Sequence, residues 1–365
     1  MKKAMSILLS AVMVLGMASC GSGGGTTTAA ETTGAAGTTG AAAATTAQAD
    51  TTKAEPSGDA IVCKLALTVS ADHAYAKAYQ KMADLIEEKT GGAVKCEMYY
   101  DGQMGTDREV IESMQMGMMS GTMCSTNTFS IFAPGLEVFD LPALFPTREI
   151  AYAIQDGELG QEVMDLLNGT GVTGYGFMEG GYYYLTNNKN EITTMDQLKG
   201  LKVRSQEATA QKMTWECLGM LPTIMSFSEL FTALQQGVID SQCNIAPNVI
   251  NSKVYEVQKY VTDFPVMYMT LIVAFSDQFM NQLTDEQKQA VQEAVDEAIL
   301  WHRENNQKLV EEDLKTMEAN GNVISKLADG ELDKIREACE PVYEYALEAH
   351  GDIVTRLNDA VEAMK

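Results

Sequence analysis

The chain has three histidines in 365 residues, and 26 basic side chains against 50 acidic ones, for a formal net charge of −24. Each shortage excludes something. His73, His302 and His350 stand far apart in sequence, and none opens a His-Glu-x-x-His pattern. Gly-x-Ser-x-Gly and the phosphate-cradling Gly-x-x-x-x-Gly-Lys-Ser/Thr are also missing, so neither a nucleophile elbow nor a nucleotide loop is legible. The deficit of Lys and Arg argues against nucleic acid as a partner, because phosphate binding rests on those residues. The cysteines show no CxxC or Cys/His spacing of a zinc site. No metal, no cofactor and no enzymatic activity are expected. Beyond residue 20 no apolar run is long enough to cross a bilayer.

What is present falls into three parts. Lys2 and Lys3 precede an apolar run at 4–18, too short to span and shaped like a signal peptide. It ends in Leu15-Gly16-Met17-Ala18-Ser19-Cys20, which resembles the bacterial lipoprotein signal-peptidase box. The resemblance implies cleavage before Cys20 and lipidation of its thiol, an anchor to the cell membrane of two or more acyl chains. Residues 21–58 are Gly, Ser, Thr and Ala with almost no apolar bulk, and read as a disordered tether with a mean reach of roughly 35 Å. Residues 59–365 are long enough for two domains and a large core. The cysteines there (Cys63, Cys96, Cys124, Cys217, Cys243 and Cys339) are read as mostly free, buried thiols, because a chain of this size needs no staples.

The most regular stretch is 196–247. Residues 201–205 predict a strand with Arg204 near its end, 207–218 a helix closed by Gly219, and 221–225 a second strand. Ser226-x-x-Glu229 is a capping box opening a helix whose Phe227, Leu230, Phe231 and Leu234 share one face. Gly237 closes that helix, and 238–242 predict a third strand ending at Cys243 and Asn244. This βαβαβ order implies a partly parallel sheet. Ligands of such sheets bind beyond the carboxyl ends of the strands. An always-charged donor fork at Arg204 and an amide at Asn244 suit a carboxylate there.

The order repeats upstream. Residues 62–69 predict a strand, Asp72 and His73 its following loop, 74–89 an amphipathic helix, and 93–100 a strand. A second capping box, Thr106-x-x-Glu109, opens a helix, and 121–125 predict a third strand ending near Cys124 and Ser125. Two similarly built lobes facing one cleft follow. Further on, 149–167 read as one helix, and Gly180-Gly181-Tyr182-Tyr183-Tyr184 as a crossing between lobes. Residues 253–262 read as a helix, 267–275 as a buried strand, and a long helix starting near Asp285 as one of about 50 Å that leans on both lobes.

With these residues in place the chain, from Val62 to about Tyr345, resembles the solute-binding proteins of TRAP (tripartite ATP-independent periplasmic) transporters. The carrying motifs are YYDGQMGTDREVIESMQMG at 99–117, LEVFDLPALF at 136–145, LKGLKVRSQ at 198–206, FSELFTALQQGVIDSQCN at 227–244 and YEVQKYVT at 255–262. The resemblance implies an α/β, two-lobed periplasmic-binding-protein-like fold of the class II type. Each lobe is a mixed sheet flanked by helices, and a long helix bridges them. Lobe I is expected at 59–181 plus 270–309, and lobe II at 182–269 plus 310–365. It also implies hinge closure around one small organic acid and delivery to two membrane subunits of a permease.

The family's carboxylate-binding arginine matches Arg204, its following asparagine Asn244, and an aromatic beside the ligand Phe227. Asp72 and His73 fall in a loop that usually reaches the pocket. Cys243 stands where many relatives have Glu, and Tyr183 where many have a second arginine. One fixed positive group instead of two favours a monocarboxylate, with Ser125 and its neighbours suited to ligand hydroxyls: a sugar acid or hydroxy acid. Glu207 either pairs with Arg204 or, facing the cleft, accepts an amine. Two other functions fit the same fold: a sensor docking to a histidine kinase, and an extracytoplasmic enzyme built on Cys124, Cys243, Asp72 and His73.

Overall fold

The structure, a computed structural model, describes residues 60–365. The expected leader at 1–20, its lipidation residue Cys20 and the tether at 21–58 lie outside the described residues. Nine strands form one sheet: β1 (Ile61–Ala66), β2 (Val94–Tyr99), β3 (Gly121–Ser125), β4 (Val172–Asn187), β5 (Lys202–Ser205), β6 (Leu221–Ile224), β7 (Ser241–Asn244), β8 (Tyr260–Ser276) and β9 (Val323–Lys326). Their spatial order is β2-β1-β3-β8-β4-β7-β5-β6, with β9 beside β8.

That order is nearly its own mirror. On one side β1 pairs parallel with β2 and β3, and β3 antiparallel with β8. On the other β5 pairs parallel with β6 and β7, and β7 antiparallel with β4. β4 and β8 pair with each other along their whole length and join the halves. Both faces of such a sheet are covered by helices, which is why β3 and β7 are buried at every position.

β4 changes register between Glu179 and Gly181 and again between Tyr182 and Tyr183. A Cβ on Gly180 would meet Met269 atoms at 2.5 and 2.6 Å, so only glycine lets β8 approach here. Gly181 has φ +104°, a conformation side chains rarely adopt. Two of the three register shifts between β4 and β8 thus lie at or beside this glycine pair, the third being between Gly174 and Gly176.

The long helix Asp285–Ala319 has 35 residues and starts at a capping box of Thr284 and Gln287. Its buried stripe runs through Ala290, Val291, Ala294, Val295, Ala298, Ile299 and His302. It packs on the helix Ala74–Lys89 of the first half and on Ala246–Asn251 of the second, as expected for a bridge.

Three sequence expectations are corrected. In the segment 253–262 only Val254–Val257 is helical, and β8 already begins at Tyr260. Its valines and tyrosine suit either period, and pairing with β4 and β9 decides for the strand. The single helix expected over 149–167 is two helices, Arg148–Gln155 and Glu158–Met164, with Gly157 as the N-cap of the second. β7 lies at Ser241–Asn244 rather than at 238–242, because Val238 still closes the preceding helix through its N–H to the Ala233 carbonyl. All six described cysteines are free.

Candidate functional site

A cavity of about 440 Å³ lies between the halves, beyond the carboxyl ends of the strands. Its walls come from matched places. The first half gives Thr68 just after β1, Asp107 at the start of the helix Asp107–Gln115, and Ser125 at the end of β3. The second half gives Arg204 in β5, Phe227 after the capping box of Ser226, and Asn244 at the end of β7. Met269 and Leu271 of β8 form the floor between them.

Arg204 is 7% exposed, and its only hydrogen bond among the described residues runs from Nε to the Met225 carbonyl, at 3.1 Å. No carboxylate is ion-paired with it among the described residues, and burial lowers its pKa to about 10. A buried guanidinium with terminal nitrogens free of protein partners is a strong anion receptor, because low dielectric strengthens its charge and its fork fits a carboxylate. Asn244 Oδ1 accepts from the Ile245 N–H at 3.0 Å and from Asn248 Nδ2 at 2.6 Å, which leaves the Asn244 amide nitrogen as the donor on offer. Gln206 Nε2 donates to Ser125 Oγ at 3.0 Å, a direct tie across the cleft.

Glu207 does not pair with Arg204. Arg108 Nη1 donates to both of its carboxylate oxygens, at 3.0 and 3.2 Å, closing the mouth of the cavity from the opposite half. The amine-accepting role considered for Glu207 therefore competes with this ion pair.

Of the nine residues singled out from the sequence as ligand contacts, Arg204, Asn244, Phe227, Ser125 and Glu207 line the cavity. Four do not. Asp72 is exposed on its loop. His73 is buried as the N-cap of Ala74–Lys89, its Nδ1 accepting from the Tyr75 N–H, and burial lowers its pKa to about 3. Cys243 precedes Asn244 in β7 and so projects to the other face, where it joins the core and burial raises its pKa well above the usual thiol range. Tyr183 is 1% exposed and sits in the core rather than on the cavity wall, close enough to Arg204 for each to shift the other's pKa.

Sequence reasoning missed Asp107, Thr68 and Asn248. Asp107 is half-buried, and Thr68 Oγ1 donates to its Oδ1 at 2.8 Å. Burial raises its pKa, while the Thr68 bond and the Arg204 charge pull it down. A signal existed: Asp107 follows the capping residue Thr106 as Phe227 follows Ser226.

Among the described residues no cluster of His, Cys, Asp or Glu is placed to hold a metal ion, and no helix is long and apolar enough to cross a membrane.

Comparison with known proteins identifies the family. The family described as bacterial extracellular solute-binding protein, family 7 (DctP) matches residues 65–349. The C4-dicarboxylate-binding periplasmic protein DctP of Rhodobacter capsulatus is 30% identical over 300 residues, covering 82% of this chain and 89% of that protein. The crystal structure of the sugar acid binding protein DctPAm of Advenella mimigardefordensis, in complex with galactonate, superposes with a TM-score of 0.81 at 27% identity, covering 84% of this chain and 99% of that one. A TRAP periplasmic solute binding protein of Polaromonas bound to D-erythronate gives 0.77 at 29% identity, covering 81% and 98%. The family model covers most of the described chain and the solved receptors share its fold, so the chain belongs to the family 7 extracellular solute-binding proteins, the receptors of TRAP transporters.

Proposed function

We propose that this protein captures a hydroxylated monocarboxylate, a sugar acid or hydroxy acid, by closing its two lobes around it, and that it delivers the ligand unaltered to a TRAP permease. Arg204 carries the reading: it is a buried cation with no ion-paired carboxylate among the described residues, in a cavity of a few hundred Å³. A carboxylate there completes the guanidinium fork, with Asn244 as second donor. Of the two arginines lining the cavity, Arg108 is paired with Glu207, which leaves Arg204 as the cation without a carboxylate partner among the described residues and favours one carboxylate over two. The relatives bound to galactonate and D-erythronate support the same ligand class. A calorimetric screen of sugar acids, hydroxy acids and dicarboxylates tests it. Binding restricted to dicarboxylates, or turnover of the bound acid seen by mass spectrometry, would sink it.

The proposed moving bodies are 59–181 plus 270–309 and 182–269 plus 310–365, hinged at the bulged waist of β4 and β8. Small-angle scattering should show a smaller radius of gyration with ligand; an unchanged radius would argue for a rigid cleft. The proposed membrane anchor is lipid on Cys20, supported by the box that ends there. A Cys20→Ser protein should leave the membrane fraction; retention there would remove the anchor from the account.

A further inference from the structure

The cavity has six charged residues in its lining: Asp101, Asp107, Arg108, Glu109, Arg204 and Glu207. Four are accounted for. Arg108 and Glu207 neutralise each other at 3.0 Å. Glu109 Oε2 is turned back onto its own capping box, accepting from the Thr106 N–H at 2.7 Å and from Thr106 Oγ1 at 2.9 Å. Asp101 is exposed on a turn at the rim. Two remain, on opposite walls and of opposite sign. Arg204 has terminal nitrogens without protein partners, and Asp107 has an oxygen, Oδ2, without one among the described residues.

We infer that Asp107 is the specificity-determining residue of this receptor, accepting hydroxyl hydrogen bonds from the far end of the ligand and rejecting a second carboxylate. This rests on the reading of Arg204 given above. A ligand whose carboxylate sits on Arg204 directs its other end at the opposite wall. A hydroxyl there donates to Oδ2, a bond strengthened by the charge on the acceptor. A second carboxylate there offers no donor and brings like charge against like in a partly desolvated space. Rejection by an unpaired charge is as effective a source of selectivity as attraction.

The neighbours of Asp107 favour hydroxyl over ammonium. Thr68 Oγ1 holds Oδ1 at 2.8 Å and so fixes the direction of Oδ2. Ser125 Oγ and Thr128 Oγ1 lie 3.2 Å apart on the same wall and are neutral groups that both give and take hydrogen bonds. The other carboxylates an ammonium group would recruit, Glu109 and Glu207, are already engaged. Asp107 starts its helix, where backbone N–H groups favour a negative side chain, and the Arg204 charge across the cavity favours the ionised form as well.

The test is calorimetry with galactonate, succinate and serine on the parent, on Asp107→Asn and on Thr68→Val, with a melting curve for each. The parent should bind galactonate and neither of the others appreciably. Asp107→Asn should move the galactonate-to-succinate affinity ratio at least tenfold toward succinate. Thr68→Val, which frees the carboxylate from its tether, should move it the same way by less. An unchanged ratio in Asp107→Asn, in a protein that melts like the parent and still binds galactonate, overturns the inference while leaving Arg204 as the anchor. If Asp107→Asn does not fold, an unchanged ratio in Thr68→Val overturns it instead. Tighter binding of serine than galactonate by the parent also overturns it. Galactonate binding that survives Arg204→Ala instead removes the reading of the site on which this one stands.

Discussion

The two half-sheets are built alike and equipped differently. In each, a first strand leads to a helix, a second strand to a capping box and a helix, and a third strand to a polar residue at the cleft. The capping boxes Thr106…Glu109 and Ser226…Glu229 correspond, and the next residue in each lines the cavity: Asp107 on one side, Phe227 on the other. The third strands end at Ser125 and at Asn244. The first strands differ most. β5 carries Arg204 to the cleft, while β1 ends at Ala66 and leaves Thr68 to follow. Repetition of the scaffold fixes where side chains reach the cavity, and the residues diverge at those few places. One wall is cationic; the other is hydroxyl-rich and anionic.

The comparison is broken most severely at Arg204. Arg204→Ala should weaken binding of the preferred acid by about 2–5 kcal/mol, the cost of leaving a buried charge unpaired. Titration calorimetry measures it, with an unshifted apo melting point as control. A loss under 1 kcal/mol would mean that the two walls share the anion equally.

The caps of the first helices give a second contrast. His73 caps Ala74–Lys89 in the first half, whereas Ala208, its counterpart before Thr209–Cys217, makes no side-chain cap bond. Burial lowers the His73 pKa to about 3, so the fold favours the neutral imidazole. The unfolded chain takes up the proton near the ordinary value of about 6.5. The contribution of His73 is therefore complete above that value and is lost as pH falls toward the folded pKa. Between pH 7 and pH 5 the loss is about 2 kcal/mol. Asp313, raised to about 6 by burial, works the other way, gaining stability as pH falls below 6. His73→Asn keeps a capping residue and removes the titration, and Asp313 cancels in the difference. Urea titrations should show the parent losing about 2 kcal/mol more than the variant over that range; parallel losses would place a charged imidazole in the fold.

The capping boxes should separate by less. Both N-cap hydroxyls donate to their glutamate's Oε2, Thr106 at 2.9 Å and Ser226 at 2.7 Å, but among the described residues only Thr106 Oγ1 also accepts from the backbone, from the Glu109 N–H at 3.3 Å. Thr106→Ala should cost about 1 kcal/mol and Ser226→Ala less. Equal costs in thermal melts would show that the backbone bond does not set the difference.

The smallest effect is expected where the walls touch. Arg108 and Glu207 are about half exposed, at 48% and 54%, so their bridge is screened. A double-mutant cycle on ligand affinity should give a coupling below about 1 kcal/mol. A larger value would make the pair a latch rather than a rim contact.

The sequence made the second half more legible than the first, for physical reasons. Between 196 and 247 each strand and helix is short and bounded by Gly or a capping serine, so period and punctuation agree. Arg204 stood out because a charge near the end of a short apolar strand has few other uses. Asp107 did not, because an acid in the first turn of a helix is what the helix dipole alone would select. Tyr183 and Cys243 were placed in the cleft by position in a motif, whereas strand alternation and bulges turn them into the core. β8 was misread at its start because valine-rich segments carry both periods until a partner strand decides.

β4 and β8 run unbroken from one half to the other, for 16 and 17 residues. Neither half is therefore a free-standing module. Cutting the molecule at Gly180 would strip each fragment of a central ribbon and bare two long rows of backbone donors and acceptors. Gene fusions, split reporters or permuted versions should place their joints in peripheral loops, for the waist is a shared spine.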